Sequence, residues 1–375
     1  MEIINLHLFV DEKVVNRCIQ NFEDVLPGQN KYIVVIPEDN AALTHVKITN
    51  DRTFAVTYGS EAFEKAIGDL RQYKNVIVHL MTSDMFRFVS EHPEANFTWA
   101  SWGSDLYSDL LELRGYKMYY DKRAIFKYQG RDSFIKRIGR ATIGRWQVKK
   151  LIKSRIAALK NISRICTTDG EYKLLLKYYP EARHISLVHL GYYPIDAMIS
   201  KEMMNSRVVG RNIIVGNSAY GHGNHVEVFK KLRKMDLTGR KVIVPLSYGD
   251  VPGYILQEGK KLLGDYFMPV VDFMPLDDYN RLLMSSDVFI YGNYRQAAVG
   301  NIVVALYIGA KVFLNKKNPL YSMYKERGYK FFSLDELEEK INYQLTDEEI
   351  ENNRTKVLTL SSYEHIKDNI SRFFS

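Results

Sequence analysis

The sequence predicts an α/β protein made of two consecutive doubly wound halves, each built on a parallel sheet. Short apolar segments rich in β-branched residues alternate with helical patterns of about 10–15 residues, which is typical of βαβ units. The alternation stops at a polar, Met-rich segment over 196–212 and then begins again. The length of 375 residues is also more than one ordinary core needs, so two or three domains are expected.

Each half contains five predicted strands. Those of the first half lie at 2–9, 31–36, 53–57, 75–80 and 96–100, with helices between them such as Val14–Leu26, Ser60–Arg71 and Asp84–Glu91. Those of the second half lie at 213–215, 241–245, 269–272, 287–291 and 311–314. The predicted organisation is a domain over 1–195, a connector over 196–212, a second domain over 213–345 and a closing helix over 346–375.

Composition limits the class of protein. Hydrophobic residues make up 46% of the chain and charged residues 26%, as in soluble globular proteins. Cys18 and Cys166 lie far apart with no CxxC motif, which indicates neither a disulfide framework nor a cysteine metal site and favours a reducing compartment. The first residues look like a strand and not like a signal peptide. The longest uncharged run, Gln296 to Ala310, has 15 residues, fewer than a membrane-spanning helix needs.

One segment carries the positive charge of the chain. Residues 133–164 contain ten Lys or Arg and no Asp or Glu, and without them the net charge changes from +8 to −2. Apolar residues recur at helical spacing in the same segment, which predicts a basic amphipathic helix lying on an anionic membrane. Nucleic acid is the alternative anionic partner, but no nucleic-acid-binding motif accompanies the segment. The predicted membrane contacts are Lys136, Arg137, Arg140, Arg145, Trp146, Lys149, Lys150 and Lys153.

A glycine-rich loop follows the first predicted strand of the second half. Ligands of open α/β sheets bind at the carboxyl ends of the strands, and here the sequence reads "GNSAYGHGNH" over 216–225. The glycines allow close backbone approach, and Asn224 is expected to cap a helix that begins near His225. A free helix N-terminus binds anions, so backbone amides, Asn217, Ser218 and either His222 or His225 are expected to hold a diphosphate. A tight turn without a ligand is the alternative.

A second candidate loop follows the strand at 287–291. Arg295 could bind phosphate in a bidentate manner, and Gln296 and Asn301 could bind a base or sugar hydroxyls. An arginine that only caps a surface loop is the alternative. Two such loops at one sheet edge suit a nucleotide diphosphate. The sequence has no DxD, HExxH or paired His/Cys spacing, so neither a metal site nor another cofactor is predicted.

The first half offers a candidate acceptor site. Trp99 and Trp102 flank a turn that is followed by Asp105, and His79 ends a predicted strand. Aromatic faces beside a carboxylate suit a sugar ring, and either Asp105 or His79 could remove a proton from a hydroxyl. The alternatives are a structural histidine and two core tryptophans.

The motifs "VGNSAYGHGNH", "VPLSYGD" (244–250), "RQAAVGN" (295–301) and "LNKKNPLY" (314–321) resemble glycosyltransferase family 56. This is the family of the TDP-N-acetylfucosamine:lipid II N-acetylfucosaminyltransferase of enterobacterial common antigen synthesis. "HLF" near the start, "VH" at 78–79 and "WGSDLY" (102–107) match as well. The resemblance implies a GT-B fold, in which two Rossmann-like domains face a cleft, with the donor on the second half and a lipid-linked acceptor on the first.

The resemblance also assigns residues. Gly216, Asn217, Ser218 and His225 look like contacts to the donor diphosphate, and Tyr248 like a residue that stacks on the base. Contacts to the nucleotide-sugar are expected from Arg295, Gln296, Gly300 and Asn301. The chain departs from many GT-B enzymes because it has no acidic residue between Asp287 and Glu326 to hold the ribose, so Gln296 or Asn301 would do so.

The expected function is transfer of a deoxyamino sugar, such as N-acetylfucosamine from its TDP form, to a polyprenyl-diphosphate-linked saccharide. The expected location is cytoplasmic, on the inner face of the bacterial plasma membrane. Two alternatives are a sugar-nucleotide 2-epimerase, which would have no use for the basic helix, and a nucleic-acid-binding protein, which would have none for the loops at 216 and 295.

Overall fold

The computed structural model describes residues 2–38, 41–47, 50–129 and 134–374, with only the backbone described for Lys127 and for 134–143. These residues form two compact units, each made of more than one stretch of sequence. The first unit consists of Met1–Tyr116, Gly144–Tyr192 and Glu364–Ser375. The second unit consists of Lys117–Ile143 and Tyr193–Tyr363.

Each unit is built on one sheet in which all described strands are parallel. The sheet of the first unit has the order β3-β2-β1-β4-β5-β6-β7, with strands β1 (Asn5–Val10), β2 (Asn30–Ile36), β3 (Thr53–Thr57), β4 (Asn75–His79), β5 (Phe97–Ala100), β6 (Ile162–Cys166) and β7 (Ser186–Val188). The sheet of the second unit has the order β10-β9-β8-β11-β12-β13, with strands β8 (Asn212–Val215), β9 (Val242–Pro245), β10 (Phe267–Val270), β11 (Ser286–Tyr291), β12 (Lys311–Leu314) and β13 (Phe332–Ser333).

Helices connect the strands. In chain order they are α1 (Val15–Val25), α2 (Glu61–Ile67), α3 (Ser83–Glu91), α4 (Ser104–Tyr107), α5 (Lys122–Tyr128), α6 (Phe134–Asn161), α7 (Asp169–Tyr178), α8 (Lys201–Met204), α9 (His225–Leu232), α10 (Pro252–Leu263), α11 (Leu276–Met284), α12 (Val299–Tyr307), α13 (Pro319–Glu326), α14 (Leu337–Lys340), α15 (Asp347–Ser361) and α16 (Tyr363–Phe374). None of the helices in the described ranges is both long enough and apolar enough to cross a membrane.

The second sheet is covered on both faces, which explains why its strands are continuously apolar. Ile213 and Val215 belong to a buried cluster with residues of α9 and α10, whereas Ile214 belongs to a second buried cluster with residues of α12. Side chains alternate across a strand, so these clusters lie on opposite faces of the sheet. The predicted doubly wound α/β class is confirmed by this arrangement.

The structure contains three strands that the sequence patterns did not predict, β6, β7 and β13. The predicted basic helix over 133–164 ends at Asn161, and β6 begins at Ile162. Ile162 and Ile165 are buried in the sheet, where β6 pairs with β5 and β7. The apolar spacing of a helix runs on into this five-residue strand, so the pattern alone did not separate the two. β7 and β13 are only three and two residues long.

The two units differ from the predicted contiguous domains in three places. The predicted connector over 196–212, together with 193–195, belongs to the second unit. Residues 117–143 belong to the second unit, where Ile125 is buried in the cluster that contains Val215. The predicted closing helix over 346–375 is two helices, α15 and α16. Ile366 and Ile370 of α16 lie one helical turn apart and enter the buried cluster of the first unit together with Phe22. Long-range apolar packing therefore decides where these segments belong.

Candidate functional site

The glycines of the loop after β8 make room for a buried imidazole. Gly216 has a φ of +69°, and a Cβ placed there would lie 2.5 Å from Nε2 of His225. A Cβ on Gly223 would lie 2.4 Å from Cε1 of the same ring. Side chains larger than hydrogen would collide with the ring at both positions, so the loop is glycine-rich because His225 fills its interior.

His225 has an unsatisfied polar atom. The residue is only 2% exposed, and its Nε2 has no hydrogen-bond partner among the described residues. Burial lowers the pKa of His225 to about 4, so the ring is neutral at pH 7. A buried polar atom without a partner costs free energy, about 1–3 kcal/mol, and a ligand oxygen beside it would remove this cost.

Asn224 does not cap α9 in the predicted way. Its φ of +53° is left-handed, and its side chain makes no capping bond. Oδ1 instead accepts a bond from the backbone N–H of Tyr120 (2.8 Å), and Nδ2 donates to the carbonyls of Met118 and Gly292 (both 3.1 Å). The first turn of α9 consequently has no side-chain cap, which leaves the positive end of the helix dipole available to an anion.

Tyr248 lies over the same loop. Nδ2 of Asn217 donates to the Tyr248 hydroxyl at 3.1 Å, and Ser218 also bonds to it. Partial burial raises the pKa of the phenol, and the residue remains 49% exposed. The ring of Tyr220 meets that of Tyr248 edge-on, with centroids 6.0 Å apart. Two aromatic rings with exposed surface therefore lie beside the predicted diphosphate loop.

The loop after β11 brings Arg295 close to His222. Burial, and next the positive charge of Arg295, lowers the pKa of His222 to about 3. Nδ2 of Asn293 donates to the His222 carbonyl at 3.2 Å, which ties this loop to the loop after β8. Arg295 is half-buried, and its Nε donates to the Gln296 carbonyl at 3.2 Å. The structure thus brings the two predicted donor loops together.

The start of α12 is more constrained than expected. The helix begins at Val299, preceded by Ala298 with a φ of +57°. Nδ2 of Asn301 donates to the hydroxyl of Tyr279 at 2.7 Å. The sequence patterns gave no indication of a role for Tyr279. Burial raises the pKa of Tyr279, and the phenol of Tyr248 raises it further. Tyr279 therefore lies between two predicted donor contacts.

Backbone strain marks the carboxyl ends of both sheets. Among the described residues, three that are not glycine have a φ in the left-handed region: Leu80, Asn224 and Ala298. Leu80 directly follows β4, Asn224 precedes α9 and Ala298 precedes α12. Such residues cost about 1–3 kcal/mol each and are commonest at functional sites.

Asp105 accepts several hydrogen bonds at the carboxyl edge of the first unit's sheet. It is only 1% exposed, and its carboxylate accepts bonds from the backbone N–H groups of Met81 (3.0 Å) and Trp102 (3.2 Å). It also accepts from Nε1 of Trp99 (2.7 Å) and from the hydroxyl of Ser101 (3.1 Å). These hydrogen bonds connect the loops after β4 and β5. Because both carboxylate oxygens already accept hydrogen bonds, the contacts argue against the predicted role of Asp105 as a base.

The two predicted acceptor tryptophans are not equivalent. Trp99 is completely buried in β5, so its ring has no surface to offer a sugar. Trp102 is half-buried, and its Nε1 donates to the hydroxyl of Tyr192 at 3.4 Å. The structure therefore corrects the prediction for Trp99 and leaves Trp102 available as an aromatic contact.

A chain of hydrogen bonds fixes the tautomers of two buried histidines. Nδ2 of Asn30 donates to the Leu26 carbonyl (2.9 Å) and to Glu23 (3.3 Å), so Oδ1 must be the atom that faces His7. Nε2 of His7 therefore carries a proton and donates to Asn30 at 3.3 Å. Nδ1 of His7 then accepts from Nε2 of His79 at 3.2 Å.

The same chain reaches the sheet edge. Nδ1 of His79 faces the Tyr192 hydroxyl at 3.4 Å, which donates to it. Burial, and next the neighbouring His7, lowers the pKa of His79, whose ring also stacks on Phe9 with centroids 3.9 Å apart. A neutral imidazole whose accepting nitrogen already faces a donor is a poor proton acceptor. These contacts argue against the predicted role of His79 as a base.

The basic segment is confirmed as a helix over most of its length, in α6. The side chains of Lys136, Arg137 and Arg140 lie outside the described residues. Arg145, Lys149, Lys150 and Lys153 are all exposed. Trp146 is 67% exposed, and Nζ of Lys150 lies 5.7 Å from the centre of its ring.

The comparison with protein families agrees with these motifs. The model of glycosyltransferase group 56, described as 4-alpha-L-fucosyltransferase, matches residues 142–367. This match covers more than half of the chain and all of the second unit's strands. It favours a transferase over the epimerase and nucleic-acid-binding alternatives.

Several solved structures share this fold at low sequence identity. Sucrose-phosphate synthase from Thermosynechococcus elongatus is 12% identical with a TM-score of 0.61, covering 99% of this chain and 98% of that one. The alpha,alpha-trehalose 6-phosphate synthase from Burkholderia multivorans is 9% identical with a TM-score of 0.58, covering 100% and 99%. WaaG, a glycosyltransferase involved in lipopolysaccharide biosynthesis, is 12% identical with a TM-score of 0.51, covering 99% and 95%. The chain has the GT-B fold and belongs to glycosyltransferase family 56, whose members transfer a sugar from a nucleotide-sugar donor to a glycosyl acceptor.

Proposed function

We propose that the loops after β8 and β11 bind the diphosphate of the donor. The observation that carries this proposal is the buried Nε2 of His225, which has no partner among the described residues and lies at the uncapped start of α9. The backbone N–H of Gly216 already donates to the Ile290 carbonyl at 2.9 Å. Asn217 and Ser218, which follow it in the loop, would therefore surround the same group, and Gly216 would leave room for it. A neutral imidazole would donate one hydrogen bond to a phosphate oxygen without requiring a second charge.

Arg295 supplies the positive charge in this proposal. Sugar transfer breaks the bond between the anomeric carbon and the diphosphate, so negative charge builds on the leaving oxygens. Fixed N–H dipoles and a guanidinium stabilise that charge more in the transition state than in the bound donor, which lowers the barrier. Tyr248 would stack on the base, and Gln296, Gly300 and Asn301 would lie along the nucleotide-sugar.

The proposed donor and acceptor rest on the family resemblance. We propose TDP-N-acetylfucosamine as the donor and a polyprenyl-diphosphate-linked saccharide as the acceptor, in the synthesis of a bacterial surface polysaccharide such as enterobacterial common antigen. Trp102 would contact the acceptor sugar. Asp105 and His79 would position Trp102 and Tyr192, because their own polar atoms are already engaged.

The basic helix would hold the enzyme at the inner face of the plasma membrane. Trp146 suits the interface between headgroups and acyl chains, and the exposed Arg145, Lys149, Lys150 and Lys153 suit anionic lipid headgroups. A peripheral enzyme placed in this way would meet an acceptor whose lipid stays in the bilayer.

Calorimetry with TDP, UDP, GDP and CDP tests the donor proposal. We expect TDP to bind most tightly, and Arg295→Ala to weaken TDP binding at least tenfold, since charge-assisted hydrogen bonds contribute about 1.5–3 kcal/mol. Arg281→Ala removes an exposed arginine from α11 and serves as the control. Equal TDP affinity in the two variants would remove Arg295 from the site, and the absence of nucleotide binding to the unmodified protein would reject the proposal.

A further inference from the structure

The second unit has a basic groove whose lysines and arginine lie outside the basic segment 133–164. The groove has a volume of about 660 Å³ and lies along the outer face of α9. Its lining residues are Tyr120, Glu227, Lys230, Lys231, Arg233, Lys234 and Leu262.

The charges of this groove are largely uncompensated. Lys230, Arg233 and Lys234 are exposed, and none of them pairs with a carboxylate of the described residues. Lys231 reaches Asp335 only at 3.9 Å, and Asp335 also pairs with Lys316 at 3.1 Å.

The acidic residue that lines the groove, Glu227, has most of its partners outside the groove. Glu227 is half-buried and accepts a hydrogen bond from the Tyr294 hydroxyl. Nδ2 of Asn315 lies 3.5 Å from each of its carboxylate oxygens, and Lys317 and, less strongly, Lys231 of the groove also attract it. This acidic side chain therefore faces the loops after β11 and β12, and the groove presents a net positive charge to solvent.

The groove also has apolar surface at its rim. Tyr120 is 44% exposed, and Nζ of Lys230 lies 5.2 Å from the centre of its ring. Leu262 is half-buried beside it. Basic side chains together with an amphipathic aromatic ring are what a protein surface needs to lie against anionic headgroups, because the charges attract phosphate while the ring enters the interface.

We propose that the groove on α9 is a second contact for anionic phospholipid headgroups, on the unit that carries the donor loops. The inference rests on the proposed function only in that both place the enzyme at a membrane. It assigns lipid contact to residues that lie outside the basic helix α6.

The test is sedimentation with phosphatidylcholine vesicles, with and without phosphatidylglycerol. Each basic residue near an anionic surface strengthens binding about fivefold, so the triple variant Lys230→Gln/Arg233→Gln/Lys234→Gln should bind phosphatidylglycerol vesicles roughly a hundredfold more weakly. The control Lys201→Gln/Lys325→Gln removes two exposed charges of the same unit and should change binding little. Calorimetry should give both variants the TDP affinity of the unmodified protein.

Three outcomes would overturn the proposal. In the first, the triple variant binds vesicles like the control while Lys149→Gln/Lys150→Gln/Lys153→Gln does not bind, which would leave α6 as the contact and the proposed function intact. In the second, the triple variant loses a binding event for inorganic pyrophosphate but keeps vesicle binding, so the groove holds a free phosphate compound. In the third, it loses only the binding of a DNA oligonucleotide.

Discussion

The carboxyl edges of the two sheets use polar residues in opposite ways. In the first unit, Asp105 and His79 are buried and all the bonds they make are to other residues of that unit. In the second unit, His225 is equally buried but has an atom without a partner, and Tyr248 is half exposed. Since buried polar groups are normally satisfied, His225 is a better candidate for tight ligand binding than Asp105 or His79.

The comparison teaches that residue type alone does not identify a functional residue. Asp105 and His79 have the chemistry of a base, yet each is part of a network that keeps its loop in place. His225 has the same chemistry and a similar burial, and what separates it is the missing partner. The predictions below test this difference, from the largest expected effect to the smallest.

Gly216→Ala should abolish TDP binding. The new methyl group would lie 2.5 Å from Nε2 of His225, so it would displace the ring and the loop in addition to straining a φ of +69°. Overpacking of this kind costs about 1–3 kcal/mol beyond the strain itself.

Gly239→Ala is the matched control for that variant. Its φ is +74°, and a Cβ there would meet nothing within 4 Å. Denaturant titration should show a smaller loss of stability for Gly239→Ala, and calorimetry should show normal TDP binding. If the two variants bound TDP equally well, the loop after β8 would have no role in the donor site.

Asp105→Asn should destabilise the first unit by about 2–4 kcal/mol, because an amide would face donors that now meet a carboxylate. The affinity for TDP should not change, since the donor loops belong to the other unit. Asp84→Asn, at an exposed position on α3, is the control and should cost less than about 1 kcal/mol.

Chemical denaturation followed by transferase assay separates positioning from catalysis at Asp105. A positioning residue should lose stability together with activity. A variant that keeps full stability and loses only kcat would restore Asp105 as the catalytic base.

Acid should weaken the first unit in a defined pH range. Burial lowers the pKa of His7 from 6.5 to about 3, so the unfolded chain binds a proton in this range that the folded chain does not. Stability should be complete above pH 6.5 and should fall as the pH drops from 6.5 towards 3, by up to about 1.4 kcal/mol per pH unit for each such imidazole. His7→Asn should flatten this dependence in denaturant titrations, and an unchanged slope would contradict the lowered pKa of His7.

Tyr248→Phe should have the smallest effect. It removes the hydrogen bonds that the hydroxyl makes with Asn217 and Ser218 and keeps the ring, so TDP affinity should fall only about two- to tenfold. Tyr248→Ala removes the ring as well and should cost at least tenfold more if the ring stacks on the base, since stacking contributes about 1–3 kcal/mol. Equal losses in the two variants would show that the ring does not contact the nucleotide.

The sequence was sufficient for the fold class and for the strand ends that carry the candidate donor loops. Alternating strand and helix patterns located ten of the thirteen strands that the structure describes, and the rule that ligands bind at carboxyl strand ends selected the loops after β8 and β11 as candidates. The strands that were missed are short, and β6 directly follows a long helix with a similar apolar spacing.

The contacts of individual side chains could not be predicted, because they depend on residues distant in sequence. Asn224 has the residue type and position of a helix cap, but Tyr120, more than 100 residues earlier, engages its side chain. The carboxylate of Asp105, in α4 after β5, accepts a hydrogen bond from the backbone N–H of Met81, which follows β4. Tyr279 contacts Asn301 from another helix, and only the fold brings them together.

The most direct test is the distance from Nε2 of His225 to the nearest phosphate oxygen in a crystal structure with bound TDP. The account predicts about 2.7–3.2 Å, the length of a hydrogen bond, with the phosphates at the start of α9. A diphosphate bound at another place, or an Nε2 that still lacks a partner when the nucleotide is bound, would contradict it.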